Sequence, residues 1–175
     1  MSKELEQISN ALKFEKTIKV YRFLNCTEYR HLPTHFEGVR FVPVRRMYYI
    51  SAKLVVTRNI RPNLKLILKF ERCKSREHLD SCEPYQDINI KSACQRTLSK
   101  FKAWSAFVEK MEPSLGCPLL KGTYSCQNGT FDGIALAVLP IEGWYWKVRA
   151  FVYEEGVKNS GPIMCVYVEG EIVNV

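Results

Sequence analysis

The sequence predicts a mainly β fold: an antiparallel β-sandwich or β-cup with one helical insertion, stapled by disulfides. Three observations predict it. Apolar and polar residues alternate along several segments, which is typical of half-buried strands. One segment, residues 92–111, has helical spacing instead. Seven cysteines are spread over 175 residues without the C-x-x-C spacing of zinc or redox sites, which indicates disulfides in an oxidising compartment.

The clearest strand pattern lies in the middle of the chain. Over residues 64–72, three leucines and Phe70 fall on one face, while lysines fall on the other. Residues 47–57 are rich in β-branched and aromatic side chains, which favour strands. A turn-forming link that contains Pro62 separates the two segments. We therefore predict a β-hairpin over residues 47–72.

A second alternating segment lies near the C-terminus. Residues 144–153 place Trp144, Trp146 and Val148 on one face, and a polar loop follows them. Residues 163–175 are predicted to form the last strand and to complete a second hairpin. Shorter strands are predicted near residues 17–24, 37–44, 121–127 and 131–139.

The helical segment and the N-terminus complete the predicted organisation. Apolar residues recur every three to four positions over residues 92–111, which predicts an amphipathic helix that ends before Pro113. Residues 1–16 are polar and are predicted to form a tail or a short helix. Residues 17–175 are predicted to form a single domain, in keeping with the chain length.

Cysteines and sequons together indicate secretion. Sequons at Asn25 and Asn128 predict glycosylation sites. Residues 1–16 contain no apolar stretch like that of a signal peptide, so the chain is either a mature secreted form or an intracellular protein. We expect the secreted form because cysteines and sequons agree.

No catalytic or metal-binding pattern stands out in the sequence. It contains no G-x-S-x-G, no H-E-x-x-H and no phosphate-binding glycine loop. His31 and His35 are the one candidate metal pair, but Pro33 between them prevents a shared helix face. Cys126 is the one candidate nucleophile, and a spare cysteine is the favoured interpretation. We therefore predict no enzyme, no metal and no cofactor.

The chain is basic, with a formal net charge of +8 from 26 basic and 18 acidic residues. The basic residues are spread over separate segments and do not form the stripe that nucleic-acid binding uses. Lysines that alternate along strands are typical of a solvated face that also prevents edge aggregation. We predict no nucleic-acid partner, and an anionic membrane surface fits the charge better.

The C-terminal half carries a more specific pattern. Cys117-Pro118 precedes Lys121-Gly122-Thr123-Tyr124, an apolar stretch ends in Leu139-Pro140, and a glycine-containing loop leads into Cys165. These residues resemble the ganglioside activator-like, ML-type lipid-recognition β-cup family, which includes the insect chemosensory B (DUF1091-type) proteins. The resemblance covers residues 20–175 and is specific from Cys94 onward.

The resemblance implies a set of three disulfides and one cysteine left over. The implied pairs are Cys26 with Cys165, Cys73 with Cys82, and Cys94 with Cys117. Each bridge would stabilise the fold by about 2–4 kcal/mol. A fourth bridge of the ganglioside activators has no counterpart in this chain, which leaves Cys126 unpaired.

The resemblance also implies binding rather than catalysis. Such a cup holds a lipid or another apolar small molecule and presents it to a membrane, a hydrolase or a receptor, with a chemosensory role in the insect proteins. We expect a monomer, in which apolar faces of the strands and the helix line the cavity. The predicted lining is Leu54, Val56, Leu66, Leu68, Phe70, Leu98, Phe101, Trp104, Phe107, Leu136, Trp144, Trp146 and Val148.

Two other functions remain open. Periodicity alone favours an ordinary packed core, in which case the protein is a secreted protein-interaction module or a receptor ligand without a small molecule. An enzyme that uses Cys126 is the other alternative. A cavity of the size usual for ligands, about 300–1,000 Å³, would favour the binding protein over the interaction module.

Overall fold

The computed structural model describes residues 16–45, 47–98, 105–130, 143–158 and 160–174. The predicted N-terminal tail before Lys16 and the predicted strand at 131–139 lie outside the described residues. The strands are β1 (Lys16–Asn25), β2 (Thr34–Val44), β3 (Met47–Val56), β4 (Leu64–Cys73), β5 (Glu83–Ile90), β6 (Gly122–Gly129), β7 (Tyr145–Glu154) and β8 (Met164–Asn174). The helices are a 3₁₀ helix (Leu79–Ser81), α1 (Ala93–Thr97) and α2 (Ser105–Glu109).

The strands form two antiparallel sheets. The larger sheet has the order β1-β8-β7-β4-β5, and the smaller has the order β2-β3-β6. Alternate residues of each strand point to one face of its sheet, and the apolar set of each sheet packs between the two. The predicted mainly β sandwich with a small helical insertion is therefore confirmed.

The predicted hairpin over residues 47–72 is wrong, whereas the C-terminal hairpin is confirmed. β3 pairs with β2 and β6 in the smaller sheet, while β4 pairs with β5 and β7 in the larger one. The link at 57–63 carries the chain across the sandwich, and Ile60 within it is buried. Alternation fixes the buried face of a strand but not its neighbour, so two consecutive strands with apolar faces also fit two facing sheets.

The predicted helix over residues 92–111 is wrong as one continuous element. α1 ends at Thr97, where Leu98 forms the C-cap, and α2 is a separate five-residue helix. Helices this short are marginal by themselves, so tertiary contacts determine where they form. The burial of Ala93 and the Cys94–Cys117 disulfide supply such contacts for α1. In the part of the chain described here, no helix is long and apolar enough to cross a membrane.

All three implied disulfides are present, and Cys126 is a buried free thiol. Cys26 bonds to Cys165, Cys73 to Cys82, and Cys94 to Cys117.

Sequence periodicity missed β5, because most of its residues are exposed and only Ile88 and Ile90 are apolar with partial burial.

The main core lies between the sheets and takes residues from both. Its buried members are Leu54, Val56, Ile60, Leu64, Ala93, Met111, Tyr124, Cys126, Val152 and Ile163. A smaller cluster of Cys26, Phe151 and Cys165 covers the outer face of the larger sheet, together with Leu32, Ile67 and Tyr153. Burial of an aliphatic or aromatic side chain stabilises the fold by about 1.5–3 kcal/mol, so the first cluster dominates.

The chain crosses from the larger to the smaller sheet between β1 and β2. The Asn25 side chain binds the backbone of Phe36 twice: Nδ2 donates to the carbonyl over 2.8 Å, and Oδ1 accepts from the N–H over 3.1 Å. The Thr34 N–H donates to the carbonyl of Ile163 over 3.0 Å. Phe23 on β1 also meets Phe36 edge to face, with ring centroids 5.2 Å apart. These contacts close one side of the sandwich.

Two buried carboxylates are held by fixed partners. Glu154 at the end of β7 accepts hydrogen bonds from the Arg58 guanidinium and from the Arg61 N–H. Glu169 on β8 accepts from the hydroxyls of Tyr145 and Tyr167. Burial and the neighbouring Glu169 raise the pKa of Tyr145 to about 12. A buried carboxylate is tolerated where such partners replace its hydration.

The Arg58–Glu154 pair predicts a pH-dependent contribution to stability. The Arg58 guanidinium, opposed by burial, holds the pKa of Glu154 below its ordinary value. A carboxylate with a lowered folded-state pKa stabilises the fold above its unfolded pKa of about 4.3, and this contribution is lost as the pH falls through the folded-state value. Glu154→Gln should therefore lower the free energy of unfolding by about 1–3 kcal/mol at pH 7, and by less below pH ~4.

Urea unfolding followed by tryptophan fluorescence from pH 3 to pH 8, with the disulfides intact, measures this difference. Glu83→Gln is the matched control, because Glu83 also pairs with an arginine but its side chain is 54% exposed. A Glu154→Gln deficit that stays constant over the whole pH range would contradict the assignment.

Candidate ligand cavity

A cavity of about 190 Å³ lies between the two sheets, at the end of the sandwich where β2, β4 and β8 begin. The smaller sheet, the larger sheet, α1 and the loop 115–119 each contribute to its wall. Its lining residues are Thr34, Leu54, Leu64, Leu66, Ala93, Cys94, Thr97, Leu98, Leu115, Gly116, Leu119, Val152, Ile163 and Met164.

Strand register brings three lining side chains into one row. Leu66 on β4 stands opposite Val152 on β7, and Val152 stands opposite Met164 on β8. Directly opposed residues of an antiparallel pair share a face of the sheet. Leu54 on β3 faces this row from the smaller sheet. The alternation that predicts the strands thus also determines which side chains reach the cavity.

A covalent bond positions the part of the wall that is not sheet. The Cys94–Cys117 disulfide joins α1 to the loop that contains Leu115 and Leu119. The Leu119 carbonyl also accepts a hydrogen bond of 2.8 Å from the Ile60 N–H. The loop therefore lies against both α1 and the β3–β4 link, which keeps its leucines at the cavity.

Three of the predicted lining residues reach the cavity, and four others lie elsewhere between the sheets. Leu54, Leu66 and Leu98 line it. Val56 is buried in the adjoining core. The other three, Leu68, Phe70 and Val148, share the inward face of the larger sheet but lie farther along it.

Trp144 and Trp146, two of the predicted lining residues, lie at the opposite end of the larger sheet. Trp146 is buried there against Phe70 and Tyr85, with ring centroids 6.0 and 5.2 Å away. The Arg72 guanidinium lies 4.2 Å from the ring centre of Trp144. Val152 lies six positions after Trp146 on β7, which corresponds to about 20 Å of strand. These aromatic rings fill space among themselves and do not line the cavity.

Four predicted lining residues remain. One of them lies away from the cavity, and the structure does not describe the other three. Phe107 packs against the main core beside Gly129. Phe101, Trp104 and Leu136 lie outside the described residues.

Sequence reasoning missed several lining residues. The pairing of Cys94 with Cys117 was the available indication for Leu115 and Leu119, since a disulfide places residues near each cysteine beside the partner segment. Thr34 and Ile163 gave no sequence indication, because Thr34 precedes the predicted strand at 37–44 and Ile163 is the first residue of the predicted strand at 163–175, where alternation is weakest.

Among the described residues, the cavity wall contains no ionisable side chain. Thr34 and Thr97 supply its two side-chain hydroxyls. The Thr97 hydroxyl donates to the Ala93 carbonyl over 2.7 Å. Thr34 Oγ1 is buried and has no hydrogen-bond partner among the described residues. A buried hydroxyl without a partner is uncommon in native proteins and calls for an explanation.

A second cavity, of about 470 Å³, lies beside the β1–β2 crossing. Its wall is mixed, with Asn25, His31 and His35 among its polar residues, and Thr34 contributes to both cavities. His35 Nε2 is hydrogen-bonded to Glu37 Oε1 at 3.0 Å. Within the described ranges, no group of three or more His, Cys, Asp or Glu side chains could hold a metal ion.

No protein-family model matches the chain, and no curated protein matches it either. The resemblance to the lipid-recognition family therefore stays a prediction that rests on the motif around Cys117, on the cysteine order and on the strand pattern of the sequence.

Cys126 is placed as a core residue rather than as a nucleophile. Its side chain is 1% exposed, and its Sγ packs against the space that a Cβ on Gly129 would fill. Burial raises the pKa of the thiol, although the nearby Lys110 charge opposes this shift. Both effects of burial, exclusion from solvent and a lower thiolate fraction, reduce reactivity.

The burial of Cys126 predicts slow alkylation. Iodoacetamide at pH 8 should modify native protein at least ~100-fold more slowly than protein in 6 M guanidinium with its disulfides intact, because the fold must open first. Mass spectrometry of quenched time points measures both rates. Native alkylation at the rate of the unfolded chain would instead restore Cys126 as a candidate nucleophile.

Proposed function

We propose that this protein is a secreted binding protein, which holds a lipid or another apolar small molecule and presents it to a membrane, an enzyme or a receptor. The observation that carries the proposal is the composition of the cavity wall: of the 14 described residues that line it, none is ionisable. Apolar contact supplies affinity without polar groups, at about 0.8 kcal/mol for each buried CH₂. Catalysis is not part of the proposal.

The position of the cavity supports entry of a ligand from solvent. Leu98 is 36% exposed although it lines the cavity, and Gly116 on the facing loop is exposed as well. The mouth therefore lies between α1 and the loop 115–119. An exposed leucine at a cavity mouth offers an apolar contact to an arriving ligand or membrane.

Charge near the mouth supports presentation at an anionic surface. Lys91, Arg96 and Lys121 are exposed on the segments that supply the wall. Leu120, next to Lys121, is 54% exposed. Lysine and arginine near a membrane surface each contribute about 1 kcal/mol of attraction to anionic lipids. Apolar and basic side chains together suit a transient contact with a membrane.

The covalent framework supports secretion. Disulfides such as these three form and persist mainly in oxidising compartments, and the two sequons agree with such a compartment. The resemblance to the ganglioside activator-like family supports a lipid or a chemosensory ligand in particular. A glycan on Asn25 would leave one N–H on Nδ2, which suffices for its bond to Phe36.

The size of the cavity favours a second candidate function. At about 190 Å³, it is smaller than the ~300–1,000 Å³ of typical ligand pockets. A secreted protein-interaction module or receptor ligand needs no ligand cavity, and a gap of this size fits incomplete packing between sheets. The two candidates differ in whether purified protein takes up an apolar molecule.

Probe uptake tests the proposal with two matched leucine variants. Purified protein should bind the small uncharged fluorophore 1-aminoanthracene. Leu98→Asp should weaken this binding at least ~tenfold, because it places a carboxylate on the apolar wall. Leu120→Asp, at an exposed leucine that does not line the cavity, should leave it unchanged within ~twofold, as expected for a surface substitution.

Fluorescence titration measures the dissociation constant of the probe for each variant. Native mass spectrometry of the purified protein detects any molecule already bound. Absence of both probe uptake and bound lipid in the wild type would favour the interaction module. Equal losses of probe affinity in the two variants would show that the probe does not bind in this cavity.

A further inference from the structure

We propose that the cavity selects uncharged molecules with a single hydrogen-bonding group, such as an alcohol, aldehyde, ketone or ester, and that Thr34 Oγ1 binds this group. This inference rests on the proposed function and narrows its ligand class. It follows from two observations on the cavity wall: the hydroxyl of Thr34 and the absence of charged side chains among the described lining residues.

The Thr34 hydroxyl is fixed in place and has unused hydrogen-bonding capacity. Thr34 is 4% exposed, and its N–H is bonded to the Ile163 carbonyl. It stands opposite Val56 in the β2–β3 pair, and Val56 is buried in the core. The Thr34 side chain therefore points between the sheets, toward the cavity that it lines.

A hydroxyl donates one hydrogen bond and accepts two, so it suits several neutral groups. It can donate to the carbonyl oxygen of an aldehyde, ketone or ester, and it can accept from an alcohol. Oγ1 has no partner among the described residues, so a ligand oxygen would complete its hydrogen bonding. The Thr97 hydroxyl already donates to the Ala93 carbonyl. Thr34 is therefore the residue that we assign to bind the polar group of the ligand.

Charged ligands are disfavoured because the described part of the wall provides no counter-ion. Among the residues that the structure describes, no lysine, arginine or histidine lines the cavity. Arg58 lies on the β3–β4 link, but it is bound to the buried carboxylate of Glu154. An ionised carboxylate or phosphate that enters an apolar cavity loses its hydration without compensation. The cavity should therefore reject fatty-acid anions and accept their neutral relatives.

The second cavity supplies the alternative location, and NMR distinguishes the two. Met164 lines the first cavity, whereas Met111 is buried in the core without lining it. His31 and His35 line the second cavity. Labelled methionine methyl groups and histidine rings therefore report the location of a bound molecule.

The test compares three eight-carbon probes, octane, 1-octanol and octanoate at pH 7.5, on full-length protein and its Thr34→Val variant. Octane and 1-octanol should both shift the Met164 methyl signal while the Met111 signal moves little. Valine keeps the shape of threonine but lacks the hydroxyl. Thr34→Val should reduce the affinity ratio of 1-octanol to octane by about three- to tenfold, the usual effect of one hydrogen bond.

Thr34→Ser retains the hydroxyl and should retain the wild-type ratio, which separates hydrogen bonding from packing. Octanoate should bind at least ~tenfold more weakly than 1-octanol to all three proteins. An unchanged ratio in Thr34→Val, with Met164 shifts intact, would overturn the role of Thr34 and leave the proposed function standing. Octanoate binding as tight as 1-octanol binding would overturn the preference for neutral ligands.

Shifts at His31 and His35 without a Met164 shift would place the ligand in the second cavity and overturn the inference. No shift with any probe would contradict the proposed function itself.

Discussion

The sandwich depends on how the chain is held where it crosses from one sheet to the other, between β1 and β2. At this crossing the Cys26–Cys165 disulfide joins the end of β1 to the beginning of β8. The Asn25 side chain adds two hydrogen bonds to β2, and the Thr34 N–H binds the carbonyl of Ile163. The separation of the sheets at this edge is thereby fixed, and so are two residues of the cavity wall.

The part of the cavity wall that α1 and the loop 115–119 form depends on a second disulfide. The Cys94–Cys117 disulfide fastens α1 to the loop 115–119, and Lys121 donates its N–H to Asn59 Oδ1 on the β3–β4 link. Well-packed interiors leave few voids larger than a water molecule. Here the boundaries of a void are tied to two disulfides and to strand ends, so closing it would require these fixed elements to move.

Alternation and motif resemblance predicted different parts of this structure. Alternation identified the inward faces of β4 and β7 and the β7–β8 hairpin, because these depend on local spacing. Alternation did not predict that β3 and β4 belong to different sheets, since sheet membership depends on contacts with β2, β6 and β7 far along the chain. It also overextended the helix, whose ends depend on tertiary contacts. The disulfide pairs came from the resemblance, since cysteine spacing does not determine pairing.

The sequence directed attention to tryptophans, whereas the described part of the cavity wall consists mainly of aliphatic side chains and includes one hydroxyl without a partner among the described residues. Large rings fill the space they occupy, as Trp146 does between Phe70 and Tyr85. In a small cavity, one hydrogen bond contributes a larger fraction of the binding free energy, because few apolar contacts fit beside it. One hydrogen bond contributes about 0.5–1.5 kcal/mol, as much as one or two CH₂ groups at about 0.8 kcal/mol each. In a cavity of about 190 Å³, where few CH₂ groups fit, a hydroxyl such as that of Thr34 carries a large share of the discrimination between ligands.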